Sequence, residues 1–415
     1  MRKLLLATVA TVGLTTGFVG IANAQSSPAP GTVTVRLNGR VNFYAAAVGT
    51  TADNVNGNKL ARYGFQGYMR LYPGFDGVAA NGLHYGAAVE IRQNGGAAGN
   101  GTSSGTETLY VRRAYGYFGL PQFGTVRFGQ TDGPFTLFQT GTFEGFNDGG
   151  WNGDVPGFVP GNVFPTYPFA DNGNLYATNK IVYLSPQVAG FDFGVSYEPS
   201  TAAFNIGQGA CAEAMTGCDR LSSSTNPADA GRRRNTFEAE LRYTGNFAGF
   251  GVKTTVGIIH SGRVNYTGTT PTQQFKDLSV GDFGLELSYA GFTVGGNLKA
   301  GQMNGLYSLE PKGGKTAIGF LVGGQYAIGP AVVGASYFNY QSTGDFTPGT
   351  GEGQRVETGI AAGGTYTLAP GVSLFASYLY GTRKQGGFNF ITQEPGVLHN
   401  YVQSQVIAVG TQLKW

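Results

Sequence analysis

The sequence predicts an all-β fold: a transmembrane antiparallel β-barrel of about sixteen strands, with one long loop folded into its lumen. Three observations predict it. An export signal opens the chain. Some sixteen short segments alternate between apolar and polar side chains. The connections between those segments alternate between short and long.

The export signal is read first. Met1-Arg2-Lys3 is a charged start, Leu4 to Ile21 is apolar or small, and Ala22-Asn23-Ala24 is an A-x-A cleavage site. A membrane anchor fits less well, because Thr and Gly interrupt the run. Residues 1–24 are therefore assigned as a signal peptide and 25–415 as a single barrel domain. Removing 24 of 415 residues leaves 391, long for a globular domain but not for a barrel. Glycine is abundant, at 70 residues, against a usual share of roughly 7%. Losing Arg2 and Lys3 takes the net charge from +3 to +1, which gives no electrostatic case for nucleic acid. No later stretch has the apolar length of a spanning helix. An exported chain of this kind enters lipid only as closed β-structure, because lipid offers no partner to an open strand edge. The two cysteines, Cys211 and Cys218, share one polar segment far from any His, and an oxidising compartment favours a small local disulfide over a metal site.

Period-two alternation marks the strands. In residues 32–48, Val33, Val35, Leu37, Val41 and Phe43 take one face, and Arg36, Asn38, Arg40, Asn42 and Tyr44 the other. Residues 61–71 and 83–92 repeat it, with Arg62, Gln66, Tyr68 and Arg70, then His84, Glu90 and Arg92, on the polar face. Thirteen further segments follow: 107–119, 123–131, 174–185, 190–198, 235–245, 250–261, 279–290, 291–302, 315–328, 331–341, 354–368, 372–384 and 401–415. Short connections such as Pro73 to Gly82, Pro121-Gln122, Ala290-Gly291 and Pro370-Gly371 alternate with long polar ones. That asymmetry is the one expected of short periplasmic turns and longer outer loops. The polar face carries several Arg and Glu. Sealing these in a dry core is very costly, whereas a water-filled bore accepts them with the apolar face against lipid.

One connection stands apart. From Asp132 to Asp171 no strand-like run occurs, and the segment holds Asp132, Glu144, Asp148, Asp154 and Asp171 with no Lys or Arg. It is rich in rings, among them Phe135, Phe138, Phe143, Phe146, Trp151, Phe158 and Phe169. A connection this long is kept for function. It is expected to pack its rings on the wall and turn its carboxylates to a channel.

Arg113-Ala114-Tyr115, Phe118-Gly119-Leu120 and Phe123-Gly124-Thr125-Val126-Arg127-Phe128-Gly129 resemble the hairpin of Gram-negative general porins. Asn179 to Pro186, continuing to Tyr197, does so too, and Val406 to Trp415 resembles the terminal strand that serves the family as assembly signal. The resemblance implies a sixteen-stranded barrel in the cell outer membrane, a homotrimer, and a third outer loop turned inward. It implies passage of small hydrophilic solutes and ions, contact with outer-membrane lipid, and no cofactor. Two departures are evident. The chain ends in Trp415 where the family usually has Phe, and Gln130 stands where the family often has Arg.

Nine basic residues fall between Gln25 and Gln130 against four acids, and the following fifty residues invert that balance. Arg36, Arg40, Arg62, Arg70, Arg92, Arg112 and Arg127 are candidates for a basic pore wall. Asp132, Glu144, Asp148 and Asp154 are candidates for the facing loop, with Glu144 and Asp148 nearest its tip. Simple alternation sends Arg113 to the lipid side, to snorkel at a rim. Arg232-Arg233-Arg234 reads as a solvated charge run, with anionic lipid as the alternative. Gly313-Gly314-Lys315-Thr316 lacks the first glycine of a phosphate loop, and no catalytic constellation assembles from spacing. The expected function is a general diffusion porin. The alternatives are a sugar- or anion-selective porin and a non-conducting structural or adhesive barrel.

Overall fold

The alternating segments become sixteen strands that close on themselves. The computed structural model describes residues 30–55, 58–93, 109–170, 178–200, 223–224, 233–263, 265–266, 274–346, 349 and 351–415. The signal peptide, Asp171 and the cysteine pair Cys211 and Cys218 lie outside the described residues.

The barrel strands are β1 (Val33–Thr50), β2 (Tyr63–Val78), β3 (His84–Gln93), β4 (Leu109–Leu120), β5 (Gly124–Thr131), β6 (Thr178–Leu184), β7 (Phe191–Ser200) and β8 (Arg233–Phe247). They continue as β9 (Phe250–Arg263), β10 (Leu278–Tyr289), β11 (Phe292–Gln302), β12 (Ala317–Ile328), β13 (Ala331–Ser342), β14 (Arg355–Ala369), β15 (Val372–Lys384) and β16 (Tyr401–Lys414). Each pairs antiparallel with its chain neighbours, and β1 pairs with β16 to close the cylinder. Closure leaves no edge, which is the condition lipid sets.

The expected polarity of the faces is observed. Val35, Leu37, Phe43, Tyr63 and Phe65 are exposed on the outside, while Asn42, Tyr44 and Arg70 are buried within. Exposed rings gather near the short turns, where Phe250 stacks on Tyr289 and Phe292 on Tyr326. Such a girdle suits the membrane interface. The turns are tight: Ala290 and Gly291 both have positive φ, 47° and 86°, as a two-residue hairpin whose twist matches its strands requires.

One turn is shorter than the sequence predicts. Of Pro73 to Gly82 only residues from Ala79 onward form the turn, because β2 runs on to Val78 and Pro73 sits within it, opposite Leu37 of β1. Proline fixes φ in a range a strand tolerates and loses only its N–H. The β2–β3 ladder accordingly lacks bridges at Tyr72 and Pro73 and resumes at Gly74.

Candidate functional site

The long connection from Asp132 forms one helical turn (Pro134–Leu137) and two 3-10 segments (Asn147–Asn152 and Val155–Phe158). It follows the inner wall strand by strand. The Phe135 amide donates to Glu238 on β8 at 3.2 Å, and the Gly141 amide to Glu286 on β10 at 2.8 Å. Asn297 on β11 donates to the Thr140 carbonyl, and Asn147 donates to the Ala362 carbonyl on β14. Ser377 on β15 donates to the Asn147 carbonyl at 2.8 Å, and Trp151 Nε1 to the Ile360 carbonyl at 3.1 Å. Phe135, Phe143, Phe146, Trp151 and Phe169 are buried in this seat. Gly141 shows how close the approach is: its φ is +83°, and a Cβ there would run into the Gly296 carbonyl oxygen. Only glycine meets both demands.

The loop then reaches the far wall, where strand register has built a row of cations. Arg40 on β1 lies opposite Lys414 on β16 and Arg70 on β2, and Arg70 lies opposite Arg92 on β3. Like charges in directly opposed positions, roughly 5 Å apart, repel by about 1–3 kcal/mol per pair between the dielectric of water and that near a protein surface. Carboxylates offset that cost. Asp154 lies 2.6 Å from Arg70 and 3.3 Å from Arg40. Asp148 accepts from Tyr44 at 2.6 Å and from Gln412 at 3.3 Å. Burial pushes the Asp154 carboxyl up to about 6, against the Arg40 guanidinium and the Tyr44 hydroxyl, which pull it down.

A second node sits beside the row. Glu90 on β3 accepts from Arg92 at 2.5 Å and Arg112 at 2.8 Å, and lies 3.4 Å from Arg113. Asp132, at the root of the loop, lies 2.6 Å from Arg113 and 3.9 Å from Arg112. Both arginines therefore point inward, which corrects the expectation that Arg113 snorkels in lipid. The cause is a β-bulge: Glu90 pairs with Arg113, but Ile91 pairs with Val111, so the register slips by one residue at Arg112. Gln130 supports the bulge, donating to the Arg112 carbonyl at 2.8 Å. Its position follows the outward-facing Phe128 by two, so it is not on the lumen phase.

The other candidates fall elsewhere. Arg62 is exposed in the bend ahead of β2. Glu144 accepts from Asn152 at 2.7 Å, inside the loop. Arg36 pairs with Asp76, and Arg127 lies 5.4 Å from the Tyr115 ring, both nearer the short turns. Trp415 is half exposed and packs against Gly39. Arg233 is not a solvated charge: it is fully buried, 3.4 Å from Glu198. Lys414 and Glu90 were not singled out from sequence. Both lie on the polar phase, a signal that was legible, but their partners depend on register.

Comparison with known proteins decides the family. A family model described as Gram-negative porin matches residues 7–386. The chain belongs to the Gram-negative porin family. It resides in the outer membrane. The porin's fold is similar to the anion-selective porin from Comamonas acidovorans, at 17% identity and a TM-score of 0.58, covering 92% of this chain and 100% of that one. It is similar also to Salmonella typhi OmpF in complex with daunomycin, at 14% identity, TM-score 0.54, and 92% and 97% coverage. A third neighbour is OmpT of Vibrio cholerae in its trimer form, at 12% identity, TM-score 0.51, and 92% and 99% coverage. At these identities the likeness shows the fold alone. No curated protein matches the chain.

Proposed function

We propose that this porin is a general diffusion channel that passes small hydrophilic solutes and ions, and that it favours anions. The observation that carries this reading is the cationic row. Lys414, Arg40, Arg70, Arg92, Arg112 and Arg113 make six positive charges in one band of the wall, met by the four carboxylates of Glu90, Asp132, Asp148 and Asp154. A wall concerned only with stability has no use for like charges set opposite one another. In a wet bore their excess draws anions. The inward loop narrows the bore, so solutes are sorted first by size. The channel needs no cofactor and performs no covalent chemistry.

Two further features belong to this reading. The N-terminal residues 1–24 direct export and are removed. The porin assembles as a homotrimer, a reading supported by its likeness to the trimer form of OmpT.

Planar-bilayer recording tests the function. Stepwise conductance with a reversal potential on the anion side of zero, under a KCl gradient, is the expected result. Electrically silent insertions would sink the pore and favour a structural or adhesive barrel. Swelling of liposomes in a graded sugar series separates a size sieve from a sugar-selective channel.

A further inference from the structure

Below the cationic row the lumen holds a second, separate feature. A cavity of about 560 Å³ is lined by Arg36, His84, Tyr115, Tyr117, Thr125 and Arg127, with Leu120, Leu184 and Pro186 along its edge. Its position follows from register. Arg36 lies four residues from Arg40, about 13 Å along β1 toward the short-turn end. The same bulge that turns Arg113 inward shifts the phase of β4, so that Tyr115 and Tyr117 face the lumen. Tyr117 is paired with Arg127 of β5.

The charges of this cavity are unequally matched. Arg36 is neutralised by Asp76, which also accepts from the Tyr117 hydroxyl. Arg127 has no carboxylate partner among the described residues; its guanidinium lies over the Tyr115 ring, 5.4 Å from the centroid. His84 lines the same cavity. A guanidinium without a counter-ion offers a planar fork of donors that matches a carboxylate. Two tyrosine rings and the apolar edge of Leu120, Leu184 and Pro186 offer a slot for a flat apolar body. The volume falls within the usual range of small-molecule sites, roughly 300–1,000 Å³.

We infer that this cavity is a binding site for a small aromatic carboxylate, its carboxylate on Arg127 and His84 and its ring beside Tyr115 and Tyr117. Inorganic phosphate suits it less well, since the edge formed by Leu120, Leu184 and Pro186 has no side chain to donate to it. The site rests on the proposal that the lumen is open to solutes. It adds a resting place on the periplasmic side of the narrowing, one that slows aromatic acids more than chloride.

The test uses the exported porin purified in detergent, with benzoate as the probe and saturation-transfer NMR as the readout. Saturable transfer to the benzoate ring protons is expected. The R127Q variant should weaken binding about tenfold or more, the loss typical of a hydrogen bond to a charged partner. H84A should weaken it less, and Y115A should reduce transfer to the ring. Far-UV circular dichroism confirms that each variant keeps its barrel; should R127Q lose it, H84A and Y115A decide the matter. Benzylamine, which carries the opposite charge, should not bind, and phosphate should not displace benzoate at equal concentration. Absence of saturable binding to the unmodified porin, equal affinity in all the folded variants, or ready displacement by phosphate would overturn the inference. The measurement needs no ion flow. A porin that conducts without binding benzoate loses this site alone, and one that binds without conducting loses the channel reading.

Discussion

The carboxylate of Asp154 lies 2.6 Å from the guanidinium of Arg70, although 84 residues separate them in the chain. This contact ties the inward loop to the cationic row of β1, β2, β3 and β16. It also brings a negative charge to the place where cations are most crowded. The sequence suggested carboxylates facing arginines across a gap. Asp154 instead touches Arg40 and Arg70, and Asp148 touches Tyr44, so the loop docks on that wall directly.

Asp154 should make the proposed anion preference depend on pH. Burial raises its carboxyl to about 6, so its charge is present above that value and lost below it. With the charge lost, the positive excess of the row grows. Anion preference, read as the reversal potential under a KCl gradient, should rise as pH falls from 7 to 5, with a midpoint at about 6. D154N should show the acid value throughout and no step at that pH. A step that persists in D154N would assign the titration to another group.

Neutralising a member of the row should act in the opposite sense. R40Q or R70Q removes one of the positive charges beside Asp154, and the reversal potential should move toward zero. Unchanged selectivity in both variants would mean that the row does not face permeating ions. The effect should shrink in concentrated salt, because a Debye length falls to about 3 Å at 1 M.

Removing Phe143 to Trp151 takes out Asp148, the Asn147 contacts with β14 and β15, and the Trp151 bond to Ile360. Single-channel conductance should increase severalfold, and liposome swelling should admit sugars that the intact porin excludes. Conductance equal to that of the intact porin would show that this stretch does not narrow the bore.

Gly141→Ala attacks the loop's seat without touching a charge. The residue needs positive φ and has no room beside the Gly296 carbonyl. Strain and overlap together should cost about 3 kcal/mol or more, more than the loop's hydrogen bond to Glu286 returns. The loop should leave the wall there, seen as noisy, enlarged conductance in a barrel whose strand content by circular dichroism is intact. Quiet channels of native size would refute the crowding argument.

The bulge on β4 can be tested through Gln130. Q130L leaves the Arg112 carbonyl without its side-chain donor, a loss of about 1–3 kcal/mol if water cannot replace it. The urea midpoint of the detergent-held porin should fall, with little change in reversal potential, since Gln130 carries no charge and is not on the lumen phase. A large change in selectivity with no loss of stability would place Gln130 in the pore instead.

What the sequence alone determined is whatever depends on parity and spacing. Alternation along Val33 to Tyr44 told which side chains share a face, and that parity survives small errors at strand ends. The alternation of short and long connections gave the up-and-down order of the barrel, and the excess of acids and rings between Asp132 and Asp154 marked the loop that turns inward. Tertiary structure decided everything that depends on pairing across strands. That Lys414, Arg40, Arg70 and Arg92 fall in one row is a matter of register, which joins residues from four different strands, Lys414 from the far end of the chain, and leaves no trace in local pattern. That Arg113 faces inward is decided by a single extra residue in β4, because in a structure of period two one residue is enough to turn a side chain from lipid to water.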